Sequence, residues 1–80
     1  MAREQLVEVV AEMVANVMTI EVAAGDTVAV GDTLVMLESM KMEIPVLAEA
    51  AGVVRAVKVD VGDVVQEGSG MLTIAADFLG

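Results

Sequence analysis

The sequence predicts an all-β fold, a sandwich or barrel of short strands with approximate twofold symmetry. Three observations predict it: an aliphatic, valine-rich composition with Phe78 as the single aromatic residue, apolar residues that alternate with polar ones, and an internal repeat. Valine-rich segments of alternating polarity favour strands with one buried face. Several such strands at short spacing are typical of sandwiches and barrels.

The internal repeat divides the chain into two halves, residues 7–43 and 44–80. A shift of 37 residues superposes the halves with nine identities, among them Gly25 and Asp26 on Gly62 and Asp63. Halves of this size are too short to bury separate cores. We therefore expect them to interlock into one domain that covers residues 1–80.

Glycine marks the turns between the predicted strands. The segments "AGDTVAVGDT" and "VGDVVQEGSG" predict tight turns near residues 25–27, 31–33, 62–63 and 68–70, because glycine and aspartate suit the backbone of turns. Alternating residues predict strands in 17–22 and 53–59. In the first of these, period two puts Val17 on the same face as Thr19 and Glu21.

The N-terminal segment "LVEVVAEMVANVM" is ambiguous on its own, because its polar residues recur every four positions, as on an amphipathic helix. Its counterpart in the repeat, "IPVLAEAAGVV", contains Pro45 and Gly52, and each is costly inside a helix. The repeat therefore favours β structure in both segments.

Composition excludes several classes of function. The chain has no cysteine and no histidine, which removes thiol nucleophiles, the commonest metal ligands and the usual general base. A formal net charge of -9 leaves no basic patch for nucleic acid and disfavours anionic membranes. No apolar run approaches the ~18 residues of a membrane span. We expect a soluble, cytoplasmic protein with no catalytic residues and no metal site.

A lysine stands at the predicted turn between strands 34–39 and 42–47. Two-residue hairpin turns need positive φ angles, which neither Met40 nor Lys41 favours, so this turn costs about 1 to 2 kcal/mol of strain. The sequence thus holds a primary amine at a rigid tip. Met36 and Met71 are expected in the core, whereas Met40 and Met42 are expected on the surface, where partners can contact them.

The stretch "ESMKMEIPV", residues 38–46, resembles the biotin-attachment signature of biotinyl domains. The resemblance implies that Lys41 is the biotinylated residue, with Ser39 in place of the more frequent alanine. The site residues that it implies are Glu38, Ser39, Met40, Lys41, Met42 and Glu43.

The whole chain is similar to the biotinyl/lipoyl fold, a barrel-sandwich hybrid of two antiparallel sheets with about eight short strands. The resemblance implies a carrier protein rather than an enzyme, with covalent biotin as cofactor. Its implied partners are a biotin protein ligase and the biotin carboxylase and carboxyltransferase subunits. Two departures are Ala15, where such domains often have glycine, and the lack of an insertion resembling the "thumb" of some carriers.

Three other functions stay open. A lipoyl carrier would share the fold, although such carriers usually have Asp-Lys-Ala around the lysine. An unmodified interaction module would share it as well. A stand-alone catalyst is disfavoured, because the carboxylates have no partner residue spaced for acid–base chemistry, and calcium binding at the Gly-Asp turns is disfavoured too.

The repeat also makes a geometric prediction. The shift of 37 residues takes Glu4 to Lys41 and Lys41 to Phe78. We therefore expect both chain ends at the pole opposite the lysine.

Overall fold

The computed structural model describes the backbone of residues 2–79 and the side chains of residues 5–76. Its eight strands are β1 (Ala2–Val10), β2 (Ala15–Ile20), β3 (Thr27–Val28), β4 (Thr33–Ser39), β5 (Met42–Leu47), β6 (Gly52–Val57), β7 (Val64–Val65) and β8 (Gly70–Leu79). They form two four-stranded antiparallel sheets, ordered β1-β8-β6-β3 and β5-β4-β2-β7. The predicted all-β fold is confirmed. Within residues 2–79, no helix is long and apolar enough to cross a membrane.

The two halves of the repeat interlock in both sheets. The centre of one sheet is the pair β2–β4 from the first half, and the centre of the other is β6–β8 from the second half. The pair β2–β4 is flanked by β7, from the second half, and by β5, at the junction of the halves. The pair β6–β8 is flanked by β3, from the first half, and by β1, near the start of the sequence. Neither half can therefore complete a sheet without the other.

The strand register reproduces the repeat residue by residue. Glu38 pairs with Glu43 across β4 and β5, and the positions 37 residues away, Ala75 and Leu6, pair across β8 and β1. The β2–β4 and β6–β8 ladders are related by the same shift, including the register shift that each contains. The approximate twofold symmetry is thus a property of the backbone pairing.

Four turns of one type join the strands, each with glycine in third place. They span residues 23–26, 29–32, 60–63 and 66–69, and their glycines have φ between 86 and 98°. In the first, the Asp26 N–H donates to the Ala23 carbonyl at 3.0 Å, and the Asp26 carboxylate accepts the Ala23 N–H at 2.9 Å. Positive φ in third place is the type II geometry that favours glycine. The four predicted turns are confirmed.

The core lies between the sheets and is aliphatic. Its largest fully buried side chains are Leu34, Leu37, Met71, Leu72, Ile74, Val17, Val35 and Val54. Met71 is buried as predicted, whereas Met36 is half-buried. Among the described side chains, no polar or charged residue is buried. Burial of apolar side chains is therefore the main interaction that holds the sheets together.

The predicted face of Val17 is wrong. The register of β2 against β4 shifts between Val17 and Thr19, so Val17 points into the core while Thr19 stays exposed. A bulge of this kind adds one residue to a strand and reverses the alternation beyond it. A uniform period of two cannot describe such a strand.

Ala15 does not carry the strain that a glycine-like backbone would impose. Positive φ at non-glycine residues occurs only at Met40 and Lys41 within residues 2–79, and Ala15 is buried in β2. Its repeat equivalent, Gly52, faces another constraint, since a Cβ there would clash with the Ala75 carbonyl oxygen. Gly52 is thus required by the space around it and not by its backbone conformation, whereas the space at position 15 accepts alanine.

The ends of β1 and β8 lie side by side, with Ala2 opposite Leu79. The repeat relates this pair of strands to β4–β5, whose far end is the hairpin turn at Met40 and Lys41. A twofold relation therefore sets the paired strand ends and the hairpin at opposite ends of a molecule 45 Å long. This arrangement agrees with the predicted positions of Glu4, Phe78 and the lysine.

Replacement of Val54 by aspartate should destabilise the fold by about 3 kcal/mol or more, because an unpaired carboxylate would enter an apolar core. Val54 is 1% exposed, whereas its neighbour Val53 is 39% exposed. Val53→Asp is the matched control and should cost about 1 kcal/mol or less. Urea unfolding followed by circular dichroism compares the two, and equal losses would contradict the assigned faces of β6.

Candidate functional site

The hairpin between β4 and β5 forms the tip of the molecule. Ser39 pairs with Met42, and the two residues between them have φ of 52° at Met40 and 66° at Lys41. Positive φ at both turn residues is the type I′ geometry, which matches the twist of the flanking strands and favours Asn-Gly. The predicted strands 34–39 and 42–47 and the predicted turn agree with the structure.

The two methionines beside the lysine are exposed. The Met40 side chain is 91% exposed and that of Met42 63% exposed, although both are large apolar residues. Met40 lies in the turn and Met42 is the first residue of β5 beside it, so both lie at the end of the sheet, where no core is within reach. Exposed flexible thioethers provide an apolar surface that partners can contact.

The Lys41 amine is exposed and free. Within residues 5–76, its Nζ makes no hydrogen bond or ion pair. The second lysine differs, because the Lys58 Nζ lies 2.7 Å from Glu8 Oε2 in a half-exposed ion pair just beyond the end of β6. Of the two lysine amines, Lys41 is thus the one that the fold presents without a partner.

Two carboxylates flank the base of the hairpin. Glu38 and Glu43 lie directly opposite each other on β4 and β5, and both are exposed. Like charges at directly opposed positions destabilise a sheet by a few tenths of a kcal/mol up to about 1 kcal/mol. The hairpin therefore has two negative charges on its paired strands and a positive charge at its tip, and the opposed glutamates do not stabilise the sheet.

Ser39 ties the hairpin to another part of the chain. Its Oγ donates a 3.2 Å hydrogen bond to the carbonyl oxygen of Val14, in the segment between β1 and β2. A shallow depression of about 350 Å³ lies beside this contact, lined by Val14, Ala15, Asn16, Glu38, Ser39, Met40, Lys41 and Val64. The sequence gives no signal for Val14, Asn16 or Val64 at the site, because no motif links these distant segments.

Three aspartates in the glycine turns have structural partners. The carboxylates of Asp26, Asp32 and Asp63 each accept a backbone N–H within their own turn, at 2.8 to 2.9 Å. Among the described residues, no group of three or more Asp, Glu, His or Cys side chains is arranged to hold a metal ion. The turn aspartates thus serve to close the turns.

Two interlocked antiparallel sheets with one lysine at an exposed hairpin define a class of attachment domains. A comparison with protein-family models agrees, since the biotin/lipoyl model, described as "Biotin-requiring enzyme", matches residues 6–74. The match covers most of the chain and includes the hairpin. The chain belongs to the biotin/lipoyl attachment family.

Curated relatives carry corresponding names. A "biotinylated protein TB7.3 homolog" of Mycobacterium leprae is 59% identical over 61 residues, 76% of this chain and 86% of the relative. A "biotin/lipoyl attachment protein" of Bacillus subtilis is 42% identical over 64 residues, 80% of this chain and 88% of the relative. A "biotin carboxyl carrier protein" of Streptococcus mutans is 40% identical over 65 residues, 81% of this chain and 50% of the relative.

Solved structures confirm the fold. A single-chain, multi-domain long-chain acyl-CoA carboxylase superposes with a TM-score of 0.85 at 27% identity, over 94% of this chain and 7% of that one. The lipoyl domain of the 2-oxoglutarate dehydrogenase complex of Azotobacter vinelandii superposes with a TM-score of 0.63 at 29% identity, over 86% of this chain and 92% of that one. At the level of the family, the prediction of a carrier rather than an enzyme is confirmed.

Replacement of the turn residues by the pair that suits a type I′ turn, Met40→Asn with Lys41→Gly, should stabilise the fold by about 1 kcal/mol, because it relieves left-handed backbone strain. Gly25→Ala is a control that should lower the stability of the fold. No atom lies within 4 Å of the position of its added Cβ, and the φ of Gly25 is 98°, so the loss of about 1 kcal/mol expected there is backbone strain alone. Urea unfolding measures both changes, and an unchanged or lower stability of the hairpin variant would show that the native turn is unstrained.

Proposed function

We propose that this chain is a biotin carrier, in which biotin is joined through an amide bond to the Nζ of Lys41. The single observation that carries the proposal is a primary amine at the apex of a rigid hairpin, between two exposed methionines and without a partner among residues 5–76. The match to the biotin/lipoyl family and relatives named as biotinylated proteins support it.

The residues at the tip fit such a group. Attachment needs an amine that a modifying enzyme can reach, and the positive φ angles of Met40 and Lys41 direct the chain around the apex of the turn. Modification at this position displaces no core side chain and breaks no ion pair among the described residues. We assign the recognition contacts to Met40 and Met42, with Glu38, Ser39 and Glu43 at the base of the hairpin.

When attached, biotin supplies a ureido nitrogen that accepts and gives up a carboxyl group. The chain contributes position and reach. Lys41 adds a flexible stem of four methylene groups to a stiff base, and amide formation removes its positive charge. A tether of this kind raises the local concentration of the carried group at each site that it visits.

The proposed partners are a biotin protein ligase, which modifies Lys41, and biotin carboxylase and carboxyltransferase components, between which the group moves. The similarity to a domain of an acyl-CoA carboxylase supports the choice of carboxylase partners. The opposite location of the paired strand ends leaves the hairpin end open to these enzymes. The proposed location is the cytoplasm, in keeping with a cysteine-free sequence.

A lipoyl carrier is the second candidate, because the backbone also superposes on a lipoyl domain. Met40 and Met42 favour biotin over lipoate at Lys41, since lipoyl signatures usually read Asp-Lys-Ala. Co-expression with a biotin ligase and, separately, with a lipoate ligase distinguishes the two by intact mass. We expect the biotinyl mass alone; addition of the lipoyl mass alone would favour the second candidate, and an unmodified chain in its native host would favour an interaction module.

Lys41→Arg should abolish biotin labelling and leave folding intact, because arginine keeps the charge but has no primary amine. Lys58→Arg is the matched control, since it also removes one lysine but should keep full labelling. Streptavidin blotting after co-expression with a biotin ligase measures both variants, and circular dichroism checks their folding. Labelling that survives in the Lys41 variant and disappears in the Lys58 variant would contradict the assignment.

Met40→Ser with Met42→Ser should slow biotinylation by about tenfold or more, because an enzyme that packs on this tip loses two apolar contacts. Stability should change by no more than about 0.5 kcal/mol, since both side chains are exposed. Met13→Ser, at a 38% exposed position outside the hairpin, in the segment between β1 and β2, is the control and should keep its labelling rate. A large fall in melting temperature of the double variant would assign the two methionines to the fold instead.

A further inference from the structure

We propose that Met40 and Met42 form a reversible oxidation site, at which conversion to methionine sulfoxide blocks recognition of the lysine between them. The proposal rests on the proposed function, because it names a modification that regulates the same site. Two further observations carry it: the composition of the chain and the order of exposure among its methionines.

Composition leaves methionine as the side chain that mild oxidants attack. The sequence has seven methionines and no cysteine, tryptophan, tyrosine or histidine. Thioether sulfur reacts with peroxides to give the sulfoxide, and methionine sulfoxide reductases reverse the reaction. A peroxide that meets this protein therefore has methionine sulfur as its main target.

The methionines differ in their exposure to solvent. Met40 is 91% exposed and Met42 63%, whereas Met13 is 38% exposed and Met71 is fully buried at 0%. Met18 and Met36 are half-buried. Of the methionines whose side chains the structure describes, the two most exposed are thus the two that flank Lys41.

The chemistry is balanced with hydrogen peroxide as the oxidant. One peroxide oxygen is transferred to the thioether sulfur, which loses two electrons and forms an S=O bond, and the peroxide is reduced to water. In the reverse reaction, two thiols of the reductase system supply two electrons, become a disulfide, and release the oxygen as water. The amine of Lys41 takes no part in either step.

The consequence is local to the tip. Sulfoxide formation converts a flexible apolar side chain into a polar one, which is costly to bury in an apolar contact. Neither Met40 nor Met42 belongs to the buried core, so the fold stays intact. An enzyme that recognises the hairpin by packing on these side chains loses that contact while the amine remains present.

The test treats the purified protein with hydrogen peroxide and maps the gain of oxygen at each methionine by peptide mass spectrometry over time. Met40 and Met42 should oxidise first, and Met71 only when the fold opens. A biotin protein ligase is then given the treated and untreated chains. We expect biotinylation of the oxidised chain to be about tenfold slower or more, with recovery after treatment with methionine sulfoxide reductases.

The outcomes separate this inference from the proposed function. An untreated chain that accepts no biotin overturns the proposed function and this inference with it. Treated and untreated chains labelled at the same rate overturn only this inference. Oxidation of Met13 or Met71 ahead of the hairpin methionines also overturns it, because the order of access would then be wrong.

Two variants complete the test. Met40→Leu with Met42→Leu keeps apolar side chains of similar volume without sulfur, so its labelling rate should be the same before and after peroxide. Met13→Leu, the matched control, should remain as sensitive to peroxide as the natural sequence. Peroxide sensitivity that persists in the double leucine variant would overturn the proposal.

Discussion

The mutual completion of two half-chains is the constraint on which the rest of the structure depends. Each half supplies the two central strands of one sheet and needs strands from elsewhere in the chain to complete it. Residues separated by 37 positions consequently occupy equivalent places in the backbone pairing. This pairing makes the β4–β5 hairpin stiff, because its strands continue into a sheet whose buried face is packed with leucine and valine.

The candidate functional site lies where the two halves of the repeat differ. The hairpin and the paired ends of β1 and β8 are equivalent in the repeat, but only the hairpin has a turn and a lysine. The second lysine is held by Glu8, whereas the Lys41 amine has no partner among the described side chains. The left-handed turn, the two exposed methionines and the opposed glutamates each cost stability, or contribute none. Their presence together is better explained by recognition than by folding.

Much of this structure follows from local sequence chemistry. Gly25 and its three equivalents predict the turns, and Pro45 and Gly52 remove the helical alternative for the N-terminal segment. The face of Val17 is not predictable from alternation, because the bulge in β2 depends on its pairing with β4. The candidate site residues from Glu38 to Glu43 can be proposed from sequence because they form one contiguous motif. The contact of Ser39 with Val14 cannot be predicted from sequence, because it joins segments that only the tertiary fold brings together.

The proposed function depends on biotin being attached to one particular atom. Streptavidin capture of the protein from its native host, followed by proteolysis and mass spectrometry of the peptides, locates that atom without any substitution. We expect a biotinyl group on the Nζ of Lys41, with Lys58 unmodified. A biotinyl group on Lys58, or a lipoyl group on Lys41 in the native protein, would contradict it.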